Sequence, residues 1–252
     1  MREFGINIKG RVRNFSLPEN KSLIPLFEAV VNSLQAIEER QKSDSFEGKI
    51  LIKIDREETL SEDILGKIDN ITITDNGIGF DEKNFTSFLE SDSEYKRELG
   101  GKGVGRFSWL KAFERVNVDS CFSENKTFYR RVFDFSLNNE GVDDELMRCE
   151  CEDYTTSVKL CAFLDKYKAH APVRLDVIAI KLIQHCFVYF LNNNCPKIIL
   201  SDNKSNVLNL NEIFKDEVAL EDGTDTFSIL DNQFKLTKIR VGGDIINCHK
   251  LY

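Results

Sequence analysis

Apolar residues at Leu23, Phe27, Val30, Leu34 and Ile37 recur at steps of four and three. That is the period of a helix with one buried face, and it predicts a helix from about Leu23 to Arg40. Ser22 reads as its N-cap, with Pro25 inside the first turn. Ahead of it, residues 6–16 read as one or two short strands, and behind it Gln41 to Gly48 reads as a polar loop. Strands are expected over Lys49 to Arg56 and over Ile68 to Thr74. The second runs into "ITITDNGIGF", where the strand breaks at an acid, an amide and two glycines.

After Phe80 comes a polar stretch, "DEKNFTSFLESDSEYKREL", with no sustained period, ending in "GGKGVGR". It predicts a long, partly helical and mobile loop. A helix is expected over Phe107 to Phe113, then three strands in "RVNVDSCF", "KTFYRRVFDFSL" and "TTSVKLCAFL", with the acidic segment Asn138 to Asp153 between the last two. Helical spacing returns from Val173 to about Leu191, and "NNNCPKIILSDNKSNVLNL" gives turn, strand, turn, strand. A composition change near residue 200 and a late strand, "KLTKIRVGG", predict a first domain over residues 1–198 and the beginning of a second module over 199–252, in a chain read as truncated.

Composition narrows the class. The 41% hydrophobic content is ordinary for a soluble domain, and no stretch has the pattern of a signal peptide or the ~18 to 20 apolar residues of a membrane helix. A cytoplasmic protein with no membrane partner is expected. The net charge of −8 argues against a surface that is wholly a nucleic-acid footprint, while the cluster Arg2, Lys9, Arg11 and Arg13 leaves local nucleic-acid binding open. Seven cysteines without a C-x-x-C pair read as free buried thiols. Cys149-x-Cys151, His185-Cys186 and Cys248-His249 lack the two well-spaced ligand pairs of a structural zinc site, so no metal is assigned to them.

Three features carry candidate chemistry. Glu28 and Asn32 stand four residues apart, on one face of a helix whose only polar side chains between Leu23 and Leu34 are these two and Ser33. A buried carboxylate needs partners, so the row points to a cavity holding water, a cation or a ligand, or else to a Glu satisfied by a neighbouring strand. Asp75-Asn-Gly-Ile-Gly79 could be a hairpin turn, because Asn-Gly is the strongest short hairpin signal. Strand alternation does not resume after it, however, and an ionised Asp at a strand end is an acceptor suited to an amino group such as the N6 of adenine. Gly100-Gly-Lys-Gly-Val-Gly-Arg106 could be a bare flexible loop. It fits neither the P-loop, the dinucleotide-binding turn nor the kinase glycine loop, and what remains is a glycine-rich run into a helix N-terminus, favourable for phosphate, with Lys102 and Arg106 adding charge.

Together, and in this order, the three resemble the GHKL ATPases, the superfamily of DNA gyrase B, the ninety-kilodalton heat-shock chaperone, histidine kinases and the MutL mismatch-repair proteins. The resemblance spans roughly residues 20–165. Glu28 and Asn32 match E-x-x-x-N; Asp75, Gly77 and Gly79 match D-x-G-x-G; Gly101, Gly103 and Gly105 match the glycine run that ends the ATP lid; and "TTSVKL" is similar to G-T-x-V-x-L, with Thr156 as the hydroxyl beside Asp75. Gln35 stands where members often have Asp, and Thr155 where they have Gly.

The resemblance implies an α+β fold of the Bergerat type, a two-layer sandwich whose mixed, mainly antiparallel sheet has helices on one face, with the lid at about residues 81–105. It implies ATP binding by Asn32, Asp75, Gly77, Gly79, Gly101, Lys102, Gly103, Val104, Gly105, Arg106 and Thr156, with Mg2+ on Asn32 and Glu28 activating the attacking water. The strands and helix after the last glycine motif favour the chaperone, MutL and MORC branch over kinases. Members of that branch hydrolyse ATP to drive lid closure and dimerisation, aided by a cation from a following domain, and the fragment alone is expected to turn over slowly. The rival readings are a nucleotide-sensing interaction switch with little turnover and a histidine-kinase-like catalytic domain. DNA maintenance and phage defence are the settings left open. His185 reads as a packed core residue.

Overall fold

The structure, a computed structural model, describes residues 8–61, 64–89, 105–137, 142–192, 194–229 and 232–241. Its first half runs through helix α1 (Ile8–Asn14), α2 (Ile24–Gln41), strands β1 (Lys49–Arg56) and β2 (Ile68–Asp75), α3 (Glu82–Leu89), α4 (Gly105–Ala112), and the antiparallel pair β3 (Phe113–Glu124) and β4 (Thr127–Ser136). There follow β5 (Asp144–Arg148), β6 (Thr155–Phe163), the short α5 (Asp165–Lys168), α6 (Leu175–His185), α7 (Phe187–Phe190), β7 (Lys197–Asp202), β8 (Val207–Asn209) and α8 (Leu210–Glu217). The hairpin of β9 (Val218–Ile229) and β10 (Asn232–Val241) forms a sheet of its own.

The fold is α+β, built on one mixed sheet of eight strands in the order β5-β4-β3-β6-β2-β1-β7-β8. Every junction is antiparallel except β1 with β7. β6 therefore points the same way as β7, and two parallel strands need a crossover, which α5, α6 and α7 supply. The boundary expected at residue 198 falls inside β7, a strand of this sheet.

Burial alternates along the strands. Ile50, Ile52 and Ile54 of β1 and Ile71 and Ile73 of β2 are fully buried, while Lys49, Leu51 and Lys53 between them are exposed. One face of the sheet thus carries the core, and onto it α2 sets Leu26, Val30, Leu34 and Ile37, and α6 sets Ile178, Leu182 and Ile183. At ~25 cal/mol per Å² of apolar surface removed from water, this burial is the main force holding the layers together.

A buried ion pair locks β1 to β7. Arg56 Nε donates to Asp202 Oδ2 at 3.0 Å, with both side chains at 1% exposure or less. Burial works to raise the Asp202 pKa, but the hydrogen bonds from Arg56 and Asn206 outweigh it and hold the carboxyl below its ordinary range. Arg56→Met strands that carboxylate and is expected to cost about 3–5 kcal/mol, read as a lower urea midpoint. An unchanged midpoint would show that the pair is dispensable.

Several expectations are corrected. Residues 6–16, read as strand, contain α1, because Ile8, Val12 and Phe15 follow helical spacing and pack on the core, and Lys111 Nζ donates to the Val12 and Arg13 carbonyls at 3.0 and 2.9 Å. Ser22 is buried and makes no cap; Leu23 occupies the N-cap position without a side-chain hydrogen bond, although Pro25 does lie in the first turn. The acidic segment before β6 contains β5, an edge strand exposed at every position, which has no apolar alternation to announce it. The helix expected to run to Leu191 breaks at Cys186. Of the described cysteines only Cys161 and Cys186 are buried free thiols, while Cys149 and Cys151 are paired. Among the described residues no helix is long and apolar enough to cross a membrane.

Candidate functional site

The chain after β2 does not turn back as a hairpin. Asp75 Oδ1 accepts from the Gly77 backbone N–H at 2.9 Å, an Asx turn that redirects the chain away from the sheet. The Ile78 N–H then donates to the Ala36 carbonyl of α2 at 3.0 Å. A Cβ on Gly77 would lie 2.7 Å from the Ala36 Cβ, so only glycine lets the loop dock on the helix this closely. Gly79 has φ +81°, and its missing Cβ would stand 2.9 Å from both Phe122 Cβ and Ser120 Oγ. Asp81 next caps α3, accepting from the Asn84 N–H at 2.7 Å. Gly79→Ala combines left-handed strain with a clash and is expected to destabilise the fold by about 1–2 kcal/mol in chemical denaturation; wild-type stability would contradict this account of the turn.

Asp75 sits at the floor of the site, 5% exposed. Its second oxygen accepts from Ser33 Oγ at 2.7 Å. Each carboxylate oxygen thereby has one donor and keeps one lone pair for another. Burial pushes the Asp75 pKa up to about 6, against the opposing pull of the Ser33 and Gly77 hydrogen bonds. Directly across the β2–β6 ladder lies Thr156. The Thr156 hydroxyl is 2.9 Å from Ser120 Oγ, which also accepts from the Phe80 N–H at 3.0 Å. An acid and two hydroxyls from three adjacent strands thus form one buried polar floor in an otherwise apolar face.

Above this floor, α2 presents Glu28 and Asn32, both half-buried and one turn apart. Burial raises the Glu28 pKa above its ordinary value. The first residue of α4, Gly105, approaches so closely that a Cβ there would lie 2.2 Å from Glu28 Oε2. The glycine at the start of α4 is therefore what leaves room for the carboxylate. Arg106 follows, its guanidinium 5.3 Å from the centre of the Phe88 ring. Gly101, Lys102, Gly103 and Val104 lie outside the described residues.

Helix α2 thus meets the start of α4 through Glu28 and Gly105 and the end of β2 through Ser33 and Asp75, with Gly77 bonded to Asp75, Gly79 against Ser120 and Thr156 across the ladder, while Asn32 stands on α2 one turn after Glu28 and beside Ser33. His185 lies apart from them, stacked on Phe27 with ring centres 4.6 Å apart. No family model matches the chain, and no curated protein matches it either.

Two buried arginines that support the loop escaped the sequence reading. Arg40 is sandwiched between the Phe46 and Tyr154 rings, 3.9 Å from each centre, and donates to the Asn76 carbonyl at 2.7 Å. Arg131, 2% exposed, donates to the Phe80 and Asp81 carbonyls at 2.9 and 3.0 Å and pairs with Glu82 and Asp144. A signal for Arg131 does exist: it shares strand parity with Phe133 and Phe135, which places its charge on the buried face. Arg40 closes the α2 apolar row one turn beyond Ile37 and has no comparable local signal, because its contacts come from the following loop through Phe46 and from distant segments through Asn76 and Tyr154.

Proposed function

We propose that this chain is an ATP-binding and ATP-hydrolysing module of GHKL type, with the eight-stranded sheet and its packed helices forming a Bergerat-like nucleotide site. The observation that carries the reading is Asp75: a buried carboxylate at a strand end, held by Ser33 and the Gly77 N–H, with unused lone pairs and the Thr156 hydroxyl beside it. A buried acceptor of this kind suits an exocyclic amine such as that of adenine, and the two glycines, by letting the loop dock on α2 and β3, hold the chain after Asp75 away from its free lone pairs. Phosphates would then extend toward Glu28, Asn32 and the N-terminus of α4.

The donor set fits a magnesium ion. Asn32 offers one neutral oxygen on the face that also carries Glu28, and Mg2+ in such sites keeps several waters and is shared with substrate phosphates. Bound there, the ion would neutralise charge on the phosphates during transfer. Glu28, made more basic by its burial, is the group placed to accept a proton from an attacking water. Dimerisation coupled to nucleotide, and a cation supplied by a following domain, complete the proposal.

Calorimetric titration with ATP and ADP in the presence of Mg2+, together with phosphate release, tests it. Saturable binding of both nucleotides and slow release of phosphate from ATP are expected; absence of nucleotide binding at millimolar concentration would overturn the assignment.

A further inference from the structure

The strand order sets up a second constellation. β5 lies at the sheet edge and β6 lies three strands inward, so residues 149–154 must pass across β4 and β3 to connect them. The Cys149 N–H first bonds the Phe128 carbonyl of β4 at 3.1 Å. The segment then brings Cys149 and Cys151 against Cys121 of β3, whose neighbours on the sheet are Arg130 and Thr155. Cys121 has the opposite parity to the buried Ser120 and Phe122, so its thiol is on the face away from the core. All three sulfurs lie within 4.8 Å of one another, half-buried, and Cys121 Sγ is 2.8 Å from Cys151 Sγ.

We propose that Cys121, Cys149 and Cys151 form a three-thiolate site for a thiophilic divalent cation, with Zn2+ as the fitting ion, and with the fourth coordination position open to solvent. Zinc takes thiolates at about 2.3 Å in a tetrahedron, so one ion can be shared by three sulfurs as close as these. The structure pairs Cys149 with Cys151 as a disulfide. That bond closes a loop with a single residue between its ends, the case in which a crosslink restricts the unfolded chain least, and it gives the Cys121 thiol no role. A shared cation uses all three. Burial first and then the facing Asp119 carboxylate raise the Cys121 thiol above its ordinary range, while Arg130, itself paired with Asp119, pulls the other way.

The chemistry balances through a thiol reductant. Two electrons and two protons from a dithiol convert the Cys149–Cys151 disulfide to two thiols, the dithiol becoming a disulfide. Binding of the divalent ion then releases the three thiol protons and leaves a complex with one net negative charge.

The test uses the full chain, reduced and kept free of oxygen, titrated with Co2+ alone. One equivalent is expected to bind with a thiolate-to-cobalt charge-transfer band, and Zn2+ is expected to displace it. Cys121→Ser and Cys149→Ser should each weaken binding by at least tenfold, whereas Cys195→Ser should leave it unchanged. Cys149 follows an exposed strand and contributes no core packing, so its variant is expected to keep the wild-type thermal midpoint and nucleotide affinity. The proposal is overturned by absence of the band, by its persistence in Cys121→Ser, or by an intact mass showing that the Cys149–Cys151 disulfide survives excess dithiol.

Discussion

Asp75→Asn is expected to abolish nucleotide binding while leaving the protein as stable as before or more so. In the fold, an asparagine keeps both present contacts, accepting from the Gly77 N–H and donating to Ser33 Oγ. Toward a ligand, however, it turns an acceptor into a donor, so the exocyclic amine of adenine meets a like group. Losing a buried, charge-assisted hydrogen bond and leaving its partner unpaired costs on the order of 3 kcal/mol, or about 100-fold or more in affinity.

Stability moves the other way. The folded carboxyl titrates at about 6 instead of 3.8, so between those values the folded state holds the proton more tightly and stability falls as pH rises. Above about pH 6 the full penalty is present, on the order of 3 kcal/mol, and asparagine removes it. Calorimetric titration with ATP and thermal unfolding at neutral pH read both effects. Unchanged affinity would refute the adenine contact, and a collapsed melting temperature would show that the carboxylate serves the fold. In the wild type, nucleotide affinity should decline as pH falls through about 6, when the carboxylate takes up its proton.

Glu28→Ala should separate binding from turnover. Its carboxylate is raised in pKa by burial and faces the start of α4, away from the Asp75 floor, so ATP affinity should change by no more than a few-fold. Phosphate release should fall by roughly 100- to 10,000-fold, the range for removal of a general base. The acid limb of the wild-type rate should also lie above the ordinary glutamate value of 4.5, because the group must be ionised to accept a proton. Equal hydrolysis by variant and wild type in single-turnover assays would remove Glu28 from the reaction.

The elements that were legible in advance are those whose own side chains carry a period. α2 was expected over Leu23 to Arg40 and spans Ile24–Gln41; β1 was expected over Lys49 to Arg56 and spans those residues. Elements whose period is too short to stand out, or absent, were misread or missed. α1 is seven residues long with one fully buried side chain, and β5 is exposed along its whole length. Their conformations come from what they dock against: α1 against α4, and β5 against β4.

The sequence by itself determined the position of Asp75 at the end of a strand and the placing of Glu28 and Asn32 on one helical face, because local periodicity and the i to i+4 relation dictate these, while the α+β class that the structure shows was implied by the motif resemblance. It could not determine that Ser33 holds Asp75 across 42 residues, that Ser120 meets Thr156 across 36, or that Cys121 lies beside Cys149 and Cys151. Only the tertiary structure decided those, since each depends on which strands lie side by side. Strand order is set by packing of the whole chain and by where its connections can cross, and no local pattern of hydrophobic and polar residues encodes it.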